Sequence, residues 1–385
     1  MKYLSHPVKV ITIVPRLPRM IDGVGDYSLC LAQELKQKHH IETLFIVCDP
    51  DWNDHDAVAP FSVEVLAQSS DEELFKLLCR LEDQASVVLF QLSGYGYHKW
   101  SIYSWIVKAL IRWKQRSGDR VKLVTMFHEL YKEMGLKPWR HRFWFGPMQK
   151  HLVKQLSQIS DVCVTNCNAY AKTLRAFSRG KHSNIPILPV FSNIPVPTAL
   201  PNLSDRQRRL VVFGLQGTRA RVYNQSSSVI NEFCIRFGIQ EIIDIGKPTG
   251  LDLQSRLILP VTEVGHQSQE EVSKILQNAM VGWTFYDANL LSKSGIFAAY
   301  CAHGVVPVVT SPTQPDDNSE LTPHQEYLLV NSSDQIIDSL PDQRLQTISD
   351  RCRHWYHSHT LFQQAQVFSQ ILQNDSTSRR IAIAK

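Results

Sequence analysis

The stretch LLSKSGIFAAYCAHGVVPVV, Leu290 to Val309, runs from a turn through a helix into a strand. Ser292, Lys293, Ser294 and Gly295 make the turn, Ile296 to Ala302 has the small packing side of a short helix, and His303-Gly304 breaks it. Val305 to Thr310 is apolar on both faces, as a buried parallel strand is, so the helix before it reads as a crossover in a doubly wound sheet. Hydroxyls, an ammonium group and the amides near Gly295 would converge on an anion at that helix start. The G-x-x-x-x-G-K spacing of a P-loop is absent.

The same alternation runs through the chain. Strands are predicted at Val8 to Val14, Ile41 to Cys48, Ser62 to Leu66, Ser86 to Leu92, Val121 to Phe127, Asp161 to Thr165 and Ile187 to Phe191. A second set follows at Leu210 to Leu215, Glu241 to Ile245, Arg256 to Pro260, Val281 to Tyr286, Val305 to Thr310 and Tyr327 to Val330. Ser268-Gln269-Glu270-Glu271 is a capping box opening a helix from Glu270 to Asn278. Between the sets, five prolines from Pro186 to Pro201 exclude regular structure and suggest a linker. The expected organisation is α/β: two Rossmann-like doubly wound domains, residues 1–195 and 210–358, facing a cleft and joined by a Pro-rich linker at 196–209. Residues 359–385 are expected to supply a C-terminal helix crossing back to the first domain, then a frayed tail.

A chain of 385 residues is long enough for two cores, and 43% hydrophobic with 20% charged residues is an ordinary globular composition. No apolar run is long enough to span a bilayer and no signal-peptide pattern follows Val8 to Val14. The eight cysteines are scattered without a CxxC pair, which favours a reducing cytosol over a zinc or disulfide framework. The formal charge of +5 is concentrated: Tyr97 to Gln155 holds 13 Lys/Arg against three acids, with five of the eight Trp. Such a segment suits an anionic membrane surface, the protein then being cytoplasmic and peripheral on the inner face; it equally suits a Trp-lined core under a solvated basic face. No nucleic-acid motif accompanies it.

Three further motifs occupy strand ends. In PRLPRMIDGVGDYSLCLAQEL, Pro15 to Leu35, Gly23 and Gly25 would let backbone approach a ligand at a helix starting near Asp26. Without a third glycine this is a weak dinucleotide fingerprint, with Asp49 the sole candidate for a ribose-binding acid, which argues against a nicotinamide-dependent oxidoreductase. In VKLVTMFHELY, His128 directly follows a buried strand, with Glu129 beside it. In LVVFGLQGTRARVYNQS, Arg219 and Arg221 would offer forked hydrogen bonds to a diphosphate.

Taken in order, these motifs resemble the GT-B glycosyltransferases, most nearly the family 4 type. DGVGDY is similar to the loop that approaches donor sugar and phosphates, FHELY to the strand-end His motif that contacts the transferred sugar, FGLQGTRARVY to the Arg-bearing loop opening the nucleotide domain, and IFAAYCAHGVVPVV to the helix and strand behind the donor site. The resemblance implies hexosyl transfer from a nucleotide-sugar donor to a hydroxyl acceptor on a lipid, polysaccharide or small molecule, with retention of configuration and neither metal nor cofactor. It implies donor contacts from Gly23, Gly25, Arg219, Arg221, Ser292, Lys293, Ser294 and Gly295, a catalytic role for His128, and sugar or acceptor contacts from Asp26 and Glu129. One departure is plain. The family carries a pair of glutamates ahead of the G-x-P-V-V element, and alignment on Gly304 puts Leu291 and Ala299 there. A glycosyltransferase-like protein that binds or assembles without catalysing is the alternative.

Overall fold

The computed structural model describes residues 8–18, 22–98, 102–131, 141–316, 319–331 and 340–373. The chain divides into two compact units, Met1–Leu188 with Leu361–Lys385, and Pro189–Thr360.

The first unit runs β1 (Val8–Val14), α1 (Gly23–His39), β2 (Ile41–Val47), β3 (Ser62–Val65), α2 (Asp71–Leu81), β4 (Val87–Leu92), the single turn α3 (Gly94–Tyr97), α4 (Ser104–Ser117), β5 (Lys122–Phe127), α5 (His141–Ile159), β6 (Val162–Thr165) and α6 (Asn168–Phe177). Among the described residues its strands form one parallel sheet in the order β3-β2-β1-β4-β5-β6. That is a Rossmann order, and the direction of winding switches between β1 and β4. Side chains alternate across a strand, so β1 feeds both layers. Ile11 and Ile13 pack with Leu74, Leu110 and Trp113 on one face, and Val14 with Ala32, Phe45 and Phe61 on the other.

The second unit runs β7 (Gln207–Phe213), α7 (Gln216–Phe237), β8 (Glu241–Ile245), β9 (Val261–Gly265), α8 (Gln269–Gln277), β10 (Ala279–Phe285), α9 (Gly295–Ala302), β11 (Val306–Ser311), β12 (Leu328–Asn331) and α10 (Asp342–His357). Its sheet repeats the order, β12-β11-β10-β7-β8-β9, with the switch between β7 and β10. The last helix, α11 (Leu361–Gln373), belongs to the first unit and packs on α1, where the buried Tyr27 hydroxyl donates to Gln364 Oε1 at 2.7 Å.

Several boundaries differ from the sequence reading. Ile187 to Phe191 forms no strand, only an isolated bridge between Ile187 and Thr165, because Pro186 and Pro189 lack the N–H a ladder needs. Arg256 to Pro260 precedes its strand; β9 starts just after Pro260 for the same reason. The Pro-rich segment 196–209 packs on the second unit. Carbonyls are used where prolines cannot donate: Pro195 O, just ahead of it, accepts from Ser273 Oγ at 2.9 Å and Pro201 O from Arg206 Nε at 3.1 Å, while Leu203 is buried in the second core. The helix expected within 359–385 is α11, set off from α10 by a break at residues 358–360.

Candidate functional site

In open α/β sheets ligands bind outside the carboxyl ends of the strands, near the switch point. In the second unit β7 leads into Gly214, whose φ of +129° is glycine territory and whose added Cβ would lie 2.5 Å from Ile296 Cδ1. α7 then starts behind Leu215, which offers no side-chain cap. Leu215, Gln216 and Gly217 are exposed, and nothing lies within 4 Å of the space beside Gly217. The start of a helix 22 residues long, without a cap and open to solvent, is a place for an anion.

The two arginines of this helix part company. Arg221 is exposed, with its guanidinium 5.8 Å from the centre of the Phe285 ring at the end of β10. Arg219 is wholly buried, so the expectation that it presents a fork to phosphate is corrected. Its Nε donates to Gly214 O at 3.0 Å, one terminal nitrogen pairs with Asp244 and the other donates to Lys247 O. Tyr223 completes the network, donating to Asp244 Oδ2 at 2.7 Å. Arg219 therefore ties together the loops after β7 and β8 from beneath.

In the opening stretch, Ser294 caps α9 by accepting from Phe297 N at 3.2 Å, and Ser292 O accepts from Val190 N at 2.7 Å. Their side chains are buried, Lys293 is half-buried, and Gly295 is exposed with open space beside it. Leu291 and Ala299, in the places of the family's glutamates, are core residues at 1% and 0% exposure. No side chain could be exchanged for an acid there without burying a charge.

In the first unit Asp22 caps α1, accepting from Val24 N at 2.9 Å and Gly25 N at 3.0 Å. The anion seat expected at Gly23 and Gly25 is thus filled by the chain's own carboxylate. Gly25 is required by packing, since a Cβ would come 2.3 Å from Arg16 O, whereas nothing lies within 4 Å of one at Gly23. Burial, and then the neighbouring Asp22 charge, raise the Asp26 carboxyl to about 6.

His128 follows β5 and is buried. Its Nε2 lies 2.8 Å from Gln91 Oε1 on β4, its ring meets Tyr27 edge-on at 4.8 Å, and its carbonyl accepts from Asn166 Nδ2 at 3.3 Å. Gln91 Nε2 and Asn166 Oδ1 are buried without a partner among the described residues. Glu129 is half-buried beside it. The sequence reading singled out neither Asp22, Gln91, Asn166 nor the exposed Lys247; each stands at a strand end or helix start, the signal that would have found them.

Of the basic, Trp-rich segment, Trp113 is core and Trp105 packs against it; Trp100, Trp139 and Trp144 lie outside what is described of their side chains. Lys108, Arg116 and Lys150 are exposed, while Arg112 pairs with Glu72 at 2.8 Å. Among the described residues no helix is long and apolar enough to cross a membrane.

No family model and no curated protein matches the chain. Solved structures do. A GtfA/B complex superposes with a TM-score of 0.64, 9% identical over 95% of this chain and 99% of that one. An alpha,alpha-trehalose 6-phosphate synthase from Burkholderia multivorans gives 0.61, 11% identical over 97% and 100%. WaaG, a glycosyltransferase of lipopolysaccharide biosynthesis, gives 0.57, 12% identical over 95% and 100%. At these identities the likeness is one of fold, and the chain has the GT-B fold with its two Rossmann-like domains.

Proposed function

We propose that the protein is a glycosyltransferase that moves a hexosyl group from a nucleoside-diphosphate sugar to a hydroxyl of a lipid, polysaccharide or small-molecule acceptor. The observation that carries this reading is the uncapped, exposed start of α7 at the carboxyl end of β7. In support, one solved neighbour holds UDP and another UDP-2-fluoro glucose.

As the glycosidic bond breaks, negative charge gathers on the departing diphosphate while the sugar becomes oxocarbenium-like. The first N–H groups of α7, with Arg221 and Lys293, would meet that charge as preorganised electrostatics, leaving no step to a metal. Arg219 acts at one remove, holding Gly214 and Lys247 where the loop backbones can approach the ligand. His128, oriented by Gln91, would hydrogen-bond a sugar hydroxyl, with Glu129, the next residue, and Asp26, the neighbour of the Tyr27 that meets the His128 ring, as further polar contacts. Retention of configuration is part of the proposal through the family resemblance.

A nucleotide screen tests it. UDP, GDP or ADP should raise the melting temperature, and the matching nucleotide-sugar should be slowly hydrolysed. No shift with any nucleotide would sink the donor site. The apolar burial of Leu291 and Ala299 favours one second reading, a binding or assembly protein, which would show the shift without turnover.

A further inference from the structure

The first unit contains a pocket of about 470 Å³, within the usual range for small-ligand sites, at the switch point between β1 and β4. Its floor and walls come from the loops after three strands: Arg16 after β1, Asp49 after β2, and the turn α3 after β4. The shape is built in. A Cβ on Gly96 would lie 2.8 Å from the Pro15 ring, so only glycine lets α3 close against that loop. The Tyr97 hydroxyl is committed to Ile13 O at 3.2 Å and Gln91 O at 2.8 Å, which makes its ring a wall.

We propose that this pocket seats an uncharged sugar ring, the acceptor of the transfer, through the Arg16–Asp49 pair. Arg16 Nε donates to Asp49 Oδ2 at 3.1 Å, with side-chain exposures of 32% and 16%, so guanidinium donors and carboxylate acceptors stand side by side at the pocket surface with no net charge. Adjacent hydroxyls of a pyranose ring match such an edge, because each can donate to the carboxylate and accept from the guanidinium. A phosphate or carboxylate ligand reaching Arg16 would face Asp49 as well, and like charges repel. A dinucleotide is disfavoured on separate ground. An acid at the end of a second Rossmann strand does bind a ribose diol, yet the pyrophosphate seat at the start of α1 is filled by Asp22. Ser69, whose hydroxyl donates to Cys48 O at 3.3 Å, lies on the same wall. The acceptor role rests on the glycosyltransferase reading, whereas the binding chemistry stands without it.

Saturation-transfer NMR on the full chain with the methyl glycosides of glucose, galactose and mannose tests the pocket. At least one should give a signal that inorganic phosphate and NAD+ do not displace. Asp49→Asn should weaken binding about ten-fold, the loss of a charge-assisted hydrogen bond, and Arg16→Gln should do likewise. If Asp49→Asn does not fold, Arg16→Gln decides. Silence from all three glycosides, displacement by phosphate or NAD+, or full binding in the folded variants overturns the proposal. UDP-induced stabilisation, measured on the same samples, reports the donor site separately: sugar binding without a UDP shift would retain the pocket and sink the donor reading.

Discussion

The guanidinium of Arg219 closes on the carboxylate of Asp244 with neither side chain reaching solvent, at 0% and 1% exposure. A buried pair gains little over an apolar replacement, but half of one strands a charge. Arg219→Met should therefore lower unfolding stability by about 3–5 kcal/mol in urea titrations. Asp244→Leu added to it should recover part of the loss, at the expense of the Tyr223 hydroxyl. A loss well under 1 kcal/mol would mean that the pair does not hold the loops together. Lysine cannot substitute, because it lacks the fork that reaches Gly214 O, Asp244 and Lys247 O together.

Arg221 stands on the same helix and bears no such duty. Arg221→Ala should leave the melting temperature of the unliganded protein nearly unchanged and weaken nucleoside-diphosphate binding by roughly ten-fold or more, as loss of a phosphate contact does. Calorimetric titration with UDP, GDP and ADP measures it. Unchanged affinity would place the diphosphate elsewhere.

His128→Ala separates two consequences. Transfer should fall by about 10²-fold, as expected for a misplaced reacting sugar. Stability should fall by about 1–3 kcal/mol, because Gln91 loses the partner 2.8 Å away and keeps both amide groups buried. Gln91→Leu in the same chain should restore stability and leave transfer impaired. Wild-type transfer in His128→Ala would remove the residue from the site.

Asp26 gives a pH signature. Its carboxyl is raised to about 6 in the folded chain, above the unfolded value, so its contribution is fully present below about pH 4 and is lost as pH rises through 6. Compared with wild type, Asp26→Asn should be more stable by about 1–2 kcal/mol at pH 8, allowing for solvent screening, with the difference shrinking toward pH 4. Melting curves across that window check it. A constant difference would mean that the carboxyl titrates normally.

The basic segment makes an experiment of charge. If Lys108, Arg116 and Lys150 face anionic headgroups, vesicles containing phosphatidylserine should float the protein at low salt and release it as the Debye length shrinks. Reversing Lys108 and Arg116 to Glu should abolish flotation. Absence of binding at low salt leaves those cations as a solvated face.

Much of the fold was legible because buried parallel strands advertise themselves on both faces. Val8 to Val14 was read with its final boundaries, and of the capping box at Ser268 the serine half forms, Ser268 Oγ accepting from Glu271 N at 3.2 Å, while the Glu271 carboxylate pairs with Lys274. The site was less legible for a specific reason. Arg219 and Arg221 read as loop residues, but α7 already begins at Gln216. Two residues apart on a helix point to opposite sides. The run Arg219, Val222, Tyr223, Ser226, Val229, Ile230 is a buried stripe at helical spacing, and it assigns Arg219 to the inside once the helix start is known. The Arg16–Asp49 pair was beyond reach of local pattern. Its members are joined only by the parallel register that sets Val14 against Val47, one step before each loop.

The hydrogen bond from Tyr27 to Gln364 spans 337 residues of sequence and lies inside the first unit. Lys122 Nζ makes a second such closure on Ile371 O at 2.8 Å. A ribosome therefore releases all six strands of the first sheet, and then all of the second unit, before the helix that covers α1 exists. Until that moment the inner face of α1, with Tyr27 beside His128, lacks its cover. A chain that stops short of Leu361 therefore carries both sheets, while Tyr27, edge-on to His128, lacks the Gln364 acceptor that holds it.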